Sequence, residues 1–365
     1  MYNNSSRLQS ALFALLRSGL WEREIDDSSA FPLTADEWKQ LYGVAKEQTV
    51  LGIVYQGLQY LPQDMLPPMS LLVRWTAVAD AIERRNREVD SALSGLCALF
   101  GSQGIAPVLQ KGQGVAQLYE KPSLRECGDI DLFFGSKSAM ETANSCIRNH
   151  NIRVEAMPDD SFTYTWQGVE VEHHSRLLDL HNPFLQGYAR RVERAYGYDA
   201  VALPSLPGQQ VAVASPFLNL LLLDLHILKH ALGWGIGLRQ LCDMARACHV
   251  YGGMIDKAQM QHCCHRMGMR RWNPLLHAFL VNYLGLPVEH LPYPRVAKDA
   301  TPLLNVVWQG GNFGFALRER KAPAPGTWRR KLRTARSFCS KVPFVVRYAP
   351  KEAFWIFTGL LKGQM

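Results

Sequence analysis

The sequence predicts an α+β protein in which a small mixed-sheet unit sits between two helical regions. Three observations predict it. Apolar residues recur at helical spacing up to about residue 102. From Gly104 the pattern changes to short β-branched and aromatic runs separated by turns, and after Pro183 it returns to long apolar helices.

In the first region, Leu8, Leu12, Leu15 and Leu16 recur at helical spacing, and Thr34-Ala35-Asp36-Glu37 opens a second helix with a threonine cap and acids in its first turn. Gln48 to Tyr60 supplies a third helix, and Pro62, Pro67 and Pro68 interrupt the pattern. A long helix follows from Ser70 to Ser102, with Ile82, Val89, Leu93, Leu96 and Leu99 on its apolar face. No catalytic pattern occurs here.

Residues 103–185 read as the sheet unit. Ile105 to Leu109 is a short strand, Lys111-Gly112-Gln113-Gly114 turns into a brief helix, and Gly128-Asp129-Ile130-Asp131-Leu132-Phe133-Phe134 is a second strand. Ser138 to His150 is a helix, Ile152 to Ala156 a strand, and Phe162–Trp166 with Val169–His173 a hairpin across Gln167-Gly168. Residues two apart on a strand share a face, so Asp129 and Asp131 project together, as do Glu170, Glu172 and His174. Clustered carboxylates repel one another and lose hydration unless a cation lies among them; Mg²⁺ accepts such oxygens while keeping positions for phosphates. Of the second set, Glu172 is the stronger candidate for a third carboxylate and Glu170 reads as a solvated outer face. Gly128, lacking a side chain, would let a polyphosphate approach the backbone.

Residues 186–317 read as a helical domain. Ser215-Pro216 starts a strongly apolar helix, and His226-x-x-x-His230 has metal-ligand spacing. Lys229 stands where a zinc-protease helix needs glutamate, which argues for a substrate, phosphate or structural role instead. Arg239, in Leu238-Arg239-Gln240-Leu241-Cys242-Asp243, opens the next helix, where a phosphate is within its reach. His262-Cys263-Cys264-His265 is an incidental run, since four consecutive helical residues cannot converge on one ion. Residues 318–365 form a tail in which Trp328, Leu332 and Ala335 lie among arginines and lysines as a basic amphipathic helix, before the apolar Phe354-Trp355-Ile356-Phe357. Contact with a membrane periphery or an acidic partner through 318–361 is the expectation from it.

Size and composition bound the rest. A chain of 365 residues, 47% hydrophobic and 20% charged, is long enough for more than one compact unit and too apolar for disorder. Forty basic against 32 acidic residues, a net +8, suits an anionic substrate without choosing among nucleotide, nucleic acid and acidic lipid. The eight cysteines show no Cys-x-x-Cys and read as reduced thiols. No secretion signal or membrane span is recognised, and a cytoplasmic location is expected.

Together, Lys111-Gly112, Tyr119, Pro122, Arg125, Gly128-Asp129-Ile130-Asp131-Leu132, Glu172-x-His174 and Gly237 to Asp243 resemble the uncharacterised nucleotidyltransferase family of bacteria, within the polymerase-β-like superfamily. The resemblance runs from about residue 30 to the Gly310–Gly314 loop. It implies a polymerase-β-like palm fold and transfer of NMP from an NTP to a hydroxyl acceptor. Asp129, Asp131 and Glu172 would be the ligands of two Mg²⁺ or Mn²⁺ ions, and Lys111, Gly112, Arg125, Gly128 and Arg239 would contact nucleotide phosphates. Two departures from the superfamily stand out: glutamate replaces the usual third aspartate, and Lys111-Gly112 replaces the usual Gly-Ser. Many such proteins are encoded near surface-polysaccharide genes, which puts sugars among the acceptors. A non-catalytic nucleotide-binding scaffold of such a system is the alternative; nucleic-acid binding through the basic tail is the less favoured one, because no aromatic-basic strand pattern accompanies that tail.

Overall fold

The structure is a computed structural model that describes residues 6–157, 159–180, 182–203, 208, 210–233, 235–310, 342–352, 354 and 355. The basic helix expected at 318–336, residues 311–314 of the glycine loop and residues 356–361 lie outside the described residues.

The N-terminal helices are α1 (Ser6–Trp21), α2 (Ala35–Glu47), α3 (Leu51–Leu58) and α4 (Met69–Ser102). Thr34 caps α2 in a capping box with Glu37, a device worth about 1 kcal/mol. Then come β1 (Val108–Gln110), α5 (Gly112–Ala116), β2 (Asp129–Phe133), α6 (Lys137–Arg148), β3 (Glu155–Ala156), β4 (Phe162–Trp166) and β5 (Val169–His174). The hairpin between β4 and β5 turns on Gln167 and Gly168, both at positive φ (49° and 77°), as the strand twist of a two-residue loop requires. Next are α7 (Gln186–Tyr196), β6 (Tyr198–Ala202), β7 (Gln210–Ala214), α8 (Pro216–Leu232), α9 (Leu238–Tyr251), α10 (Lys257–Arg266), α11 (Trp272–Asn282) and α12 (Thr301–Gly310).

The seven strands among the described residues form one mixed sheet in the order β3-β4-β5-β2-β1-β7-β6. β2 runs parallel to β5 and antiparallel to β1, which in turn lies parallel to β7. The sheet is therefore larger than the 103–185 unit expected, because β6 and β7 come from the stretch read as helical. Their alanines and exposed residues give little strand signal. They are recruited by pairing of β7 with the edge of β1, a contact between residues about a hundred positions apart in the chain.

The two sheet faces have different partners. Ile130, Leu132, Val169 and Val171 pack with Val89, Leu93, Leu96 and Phe100 of α4 and with Met140, Ala143 and Ile147 of α6. Phe133 and Val108 point the other way, into a larger core shared with α1, α3, α8, α9 and α11. α4, of 34 residues and roughly 50 Å long, joins both cores: Trp75 enters the second and Val89 to Phe100 the first. Gly52 of α3 presses on the loop before β2, where an added Cβ would meet the Leu124 carbonyl oxygen at 2.0 Å. Among the described residues no helix is long and apolar enough to cross a membrane.

Candidate active site

The face of the sheet turned toward α8 and α9 carries the acids. Asp131 lies beside Glu172 in the parallel β2–β5 register, and Asp129 beside Glu170. Strand alternation thus brings Asp129, Asp131, Glu172 and His174 to one side, and buries Ile130, Leu132, Val171 and His173 on the other. The two adjacent histidines have separate fates. His173 lies between Tyr164 and Asn144, hydrogen-bonded to both at 2.8 Å, and burial pushes its pKa down to about 3.

Around Asp131 the contacts are close. Lys111 Nζ lies 3.1 Å from its Oδ2 and His174 Nε2 2.9 Å from its Oδ1. His174 Nε2 is also 3.4 Å from Glu172 Oε2. Burial alone would raise the Asp131 pKa, yet Lys111 and His174 more than offset it and hold it well below the usual carboxylate range. The same contacts act in reverse on His174: burial disfavours its charge, and the bonds to Asp131 and Glu172 lift its pKa to about 9. Asp129 goes the opposite way, raised by burial and by repulsion from Asp131, with Lys111 and Arg239 opposing. Lys111 is held at φ 45°, ψ −141°, a region populated almost only by glycine. Roughly 1–3 kcal/mol of backbone strain is thereby accepted at the residue whose ammonium meets Asp131. Gly112 follows at φ 48°, and its bare Cα lies against the Asp129 carbonyl.

The remaining expected phosphate contacts divide. Arg239, at the start of α9, donates from Nη1 to the Glu126 carbonyl at 3.0 Å, while its Nε is buried without a hydrogen-bond partner among the described residues. It lines a cleft of about 460 Å³ with Lys111, Gly112, Asp129, Asp131 and His226. Arg125 also reaches that cleft, but its guanidinium grips Asp243 of α9 bidentately, Nε to Oδ1 at 3.0 Å and Nη2 to Oδ2 at 2.6 Å. Both partners are buried, and Tyr119 adds a hydroxyl to the same Asp243 oxygen at 2.8 Å. Burial would discharge Arg125, and Asp243 more than compensates, holding its pKa above the ordinary value. Arg125, expected to contact phosphate, thus lines the cleft with its charge already engaged by Asp243. At Gly128 an added Cβ would meet nothing within 4 Å, so that position is open.

Several residues fix the loop that precedes β2. Asn86 of α4 donates to the carbonyls of Ser123 and Arg125 at 2.6 and 3.0 Å, and Glu126 accepts from the Leu51 backbone at 2.7 Å. Of the two histidines of α8, His226 lines the cleft and His230 meets its ring edge-to-face, with centroids 4.4 Å apart at 68°. Burial and then Lys111 lower both pKa values, keeping the rings neutral. Cys263 and Cys264 are buried in α10, in keeping with an incidental His-Cys-Cys-His run.

Asp131, Glu172 and His174 offer ligand atoms within 4.8 Å of one another. The donor set fits a divalent cation: hard carboxylate oxygens from adjacent strands, a neighbouring Asp129 whose charge is disfavoured by Asp131, and one imidazole that Mn²⁺ accepts more readily than Mg²⁺. His174 is visible in the sequence as a member of the acid face, but its contact with Asp131 on the neighbouring strand is not.

Residues 34–284, more than half of the chain, match the uncharacterised nucleotidyltransferase family. The chain belongs to that family. No curated protein matches. Among solved structures, an antigenic nucleotidyltransferase-like protein from Paracoccidioides brasiliensis is similar over 55% of this chain and 93% of its own, at 16% identity and a TM-score of 0.34.

Proposed function

We propose that this family member is a metal-dependent nucleotidyltransferase, cytoplasmic, that transfers NMP from an NTP to a hydroxyl acceptor and releases pyrophosphate. The observation that carries this reading is the meeting of Asp129, Asp131 and Glu172 on one sheet face, beside Lys111 and an open cleft. In the reaction the acceptor oxygen bonds to the α-phosphorus, the bond to the bridging oxygen breaks, and pyrophosphate leaves. The hydroxyl proton passes to a base. Glu172, 31% exposed where Asp131 is 6% exposed, is the acid best presented for that role. Lys111 and Arg239 neutralise triphosphate charge, and Arg125 acts at one remove by fixing α9 through Asp243. Asp129, Asp131 and Glu172, with His174, would hold Mg²⁺ or Mn²⁺, two ions in the full site. When bound, the metal supplies Lewis-acid charge at the phosphates and acidifies the attacking hydroxyl.

The test compares wild type with Asp129→Ala/Asp131→Ala across the four NTPs, with Mg²⁺ or Mn²⁺, by nucleotide-dependent thermal shift and pyrophosphate release. Metal-dependent nucleotide binding is expected in wild type and lost in the double variant; no metal-dependent nucleotide binding in wild type sinks the reading. A second reading, nucleotide binding without turnover, is favoured by one observation. Lys111 and His174 already engage both oxygens of Asp131, balancing its charge from within the protein. Retained nucleotide shift with no pyrophosphate release from a broad acceptor panel would select it.

A further inference from the structure

A second open cleft, of about 600 Å³, adjoins the first, and the two share Lys111 and His226 as their common wall. A group-transfer site needs two substrates delivered to one junction, and these two clefts meet at one. The first cleft carries Lys111, Arg239 and the acids, as a metal-bound triphosphate needs.

The second cleft has a different character. Asp160 lies 3.6 Å from Arg176 and 3.8 Å from Lys137, and Asp179 accepts from Lys229 at 2.5 Å. Asp159 accepts from the Ser161 hydroxyl at 2.6 Å. Asp160 and Asp179 thus each face a cation and Asp159 a hydroxyl, while Leu177, Leu222 and Leu225 supply an apolar floor. A phosphate entering here must compete with Asp160 or Asp179 for their cations. A neutral hydroxyl donates and accepts at once, so it can bridge a paired Asp and Lys without displacing either, and C–H faces can lie on the leucines. Gln110 Nε2, donating to the Arg176 carbonyl at 3.2 Å, ties this wall to β1 and so to the acid face.

We infer that the cleft between Asp160 and Lys229 is the acceptor site and that it takes an uncharged, polyhydroxylated small molecule, whose reacting hydroxyl is presented at the Lys111–His226 junction. The inference rests on the nucleotidyl-transfer reading of the acid face.

Saturation-transfer NMR on the full chain tests it, with a panel of methyl hexosides, methyl pentosides and inositol set against glucosamine and glucose 6-phosphate. Two variants accompany wild type: Ser175→Trp, which fills the cleft at a half-buried position, and Arg176→Ala, which removes an exposed polar arm. Transfer to at least one neutral member is expected in wild type, lost in Ser175→Trp and weakened in Arg176→Ala. In all three proteins the thermal shift with NTP and Mn²⁺ should persist, which also shows that the variants are folded. Silence across the neutral panel, undiminished transfer in Ser175→Trp, or preference for the charged sugars overturns the assignment. If the NTP shift persists in those cases, only the acceptor assignment falls. Absence of the NTP shift in wild type brings down the nucleotidyl-transfer reading and this inference together.

Discussion

Asp131 on the sheet and Asp224 in the helical core are both carboxylates removed from water, and the protein balances them by opposite means. Asp131 has a lysine and a protonable histidine against it, and its pKa is held low. Asp224 has two neutral donors, Trp272 Nε1 at 2.7 Å and Asn273 Nδ2 at 2.6 Å. Burial pushes its pKa up to about 7, with those hydrogen bonds pulling back. The sheet site keeps negative charge available beside a cleft; the core site tolerates a carboxyl by letting it hold its proton. Burial alone therefore does not mark a catalytic acid. A buried acid with cations facing it and open space next to it is a candidate for one.

Asp243 offers the sharpest way to test that distinction, because it is balanced by a full buried ion pair. Truncating one partner leaves the other charge alone in the interior, so Arg125→Ala should cost about 3–5 kcal/mol in urea unfolding. Restoring neutrality with Arg125→Met/Asp243→Leu should recover most of it. An Arg125→Ala protein as stable as wild type would mean that water reaches this pair and that the charge is accessible to a ligand after all.

A smaller effect is expected at His174, and its sign follows from the raised pKa. The folded value near 9 stands above the usual value of about 6.5, so the protonated ring stabilises the fold fully below pH 6.5. That contribution is lost as pH rises through 9. With chelator present, the stability gap between wild type and His174→Gln should be on the order of 2 kcal/mol at pH 6 and should shrink toward pH 9.5. A gap that is flat with pH would show that His174 is neutral and bonded only as a dipole.

The smallest change is expected at Asp224, with the opposite sign. A carboxyl whose folded pKa is raised loses stability as pH climbs from about 4 to 7, because the unfolded chain releases its proton first. Asp224→Asn removes that penalty and keeps an acceptor for Trp272. A gain of about 1 kcal/mol at pH 8 and none at pH 4 is expected by thermal unfolding, the gain being limited because an amide is itself costly to bury. A loss at pH 8 would place an unrecognised cation beside Asp224.

The acid face was legible in the sequence because it depends on a local rule: residues two apart on a strand point the same way, and both Asp-x-Asp and Glu-x-His obey it. What brings the two strands together was not. Parallel pairing of β2 with β5 is set by the packing of Val169, Val171, Ile130 and Leu132 against α4 and α6, and no turn encodes it. β6 and β7 escaped notice for the same reason, being short and alanine-rich and paired through β1. The pairing of Arg125 with Asp243 carries no sequence sign, because the partner lies 118 residues away on a helix. The Lys111-Gly112 turn was foreseen, while the positive φ of the lysine itself carried no sequence sign.

The loop from Arg125 to Cys127 has a bearing on how this protein can be dissected. Arg125 is gripped by α9, the Glu126 side chain by the start of α3, and the Glu126 carbonyl by Arg239. Three helices that lie outside the 103–185 stretch thus hold the segment from which β2 emerges, Asn86 of α4 included. A fragment of 103–185 expressed alone would strip α4 from one sheet face and α1, α3, α8, α9 and α11 from the other, lack β6 and β7, and carry Arg125 and Glu126 without their partners. The acid-bearing sheet is held in place by helices on both sides of it in the chain, and work on a minimal version should begin by splitting the chain in two and recombining the halves, not by trimming its ends.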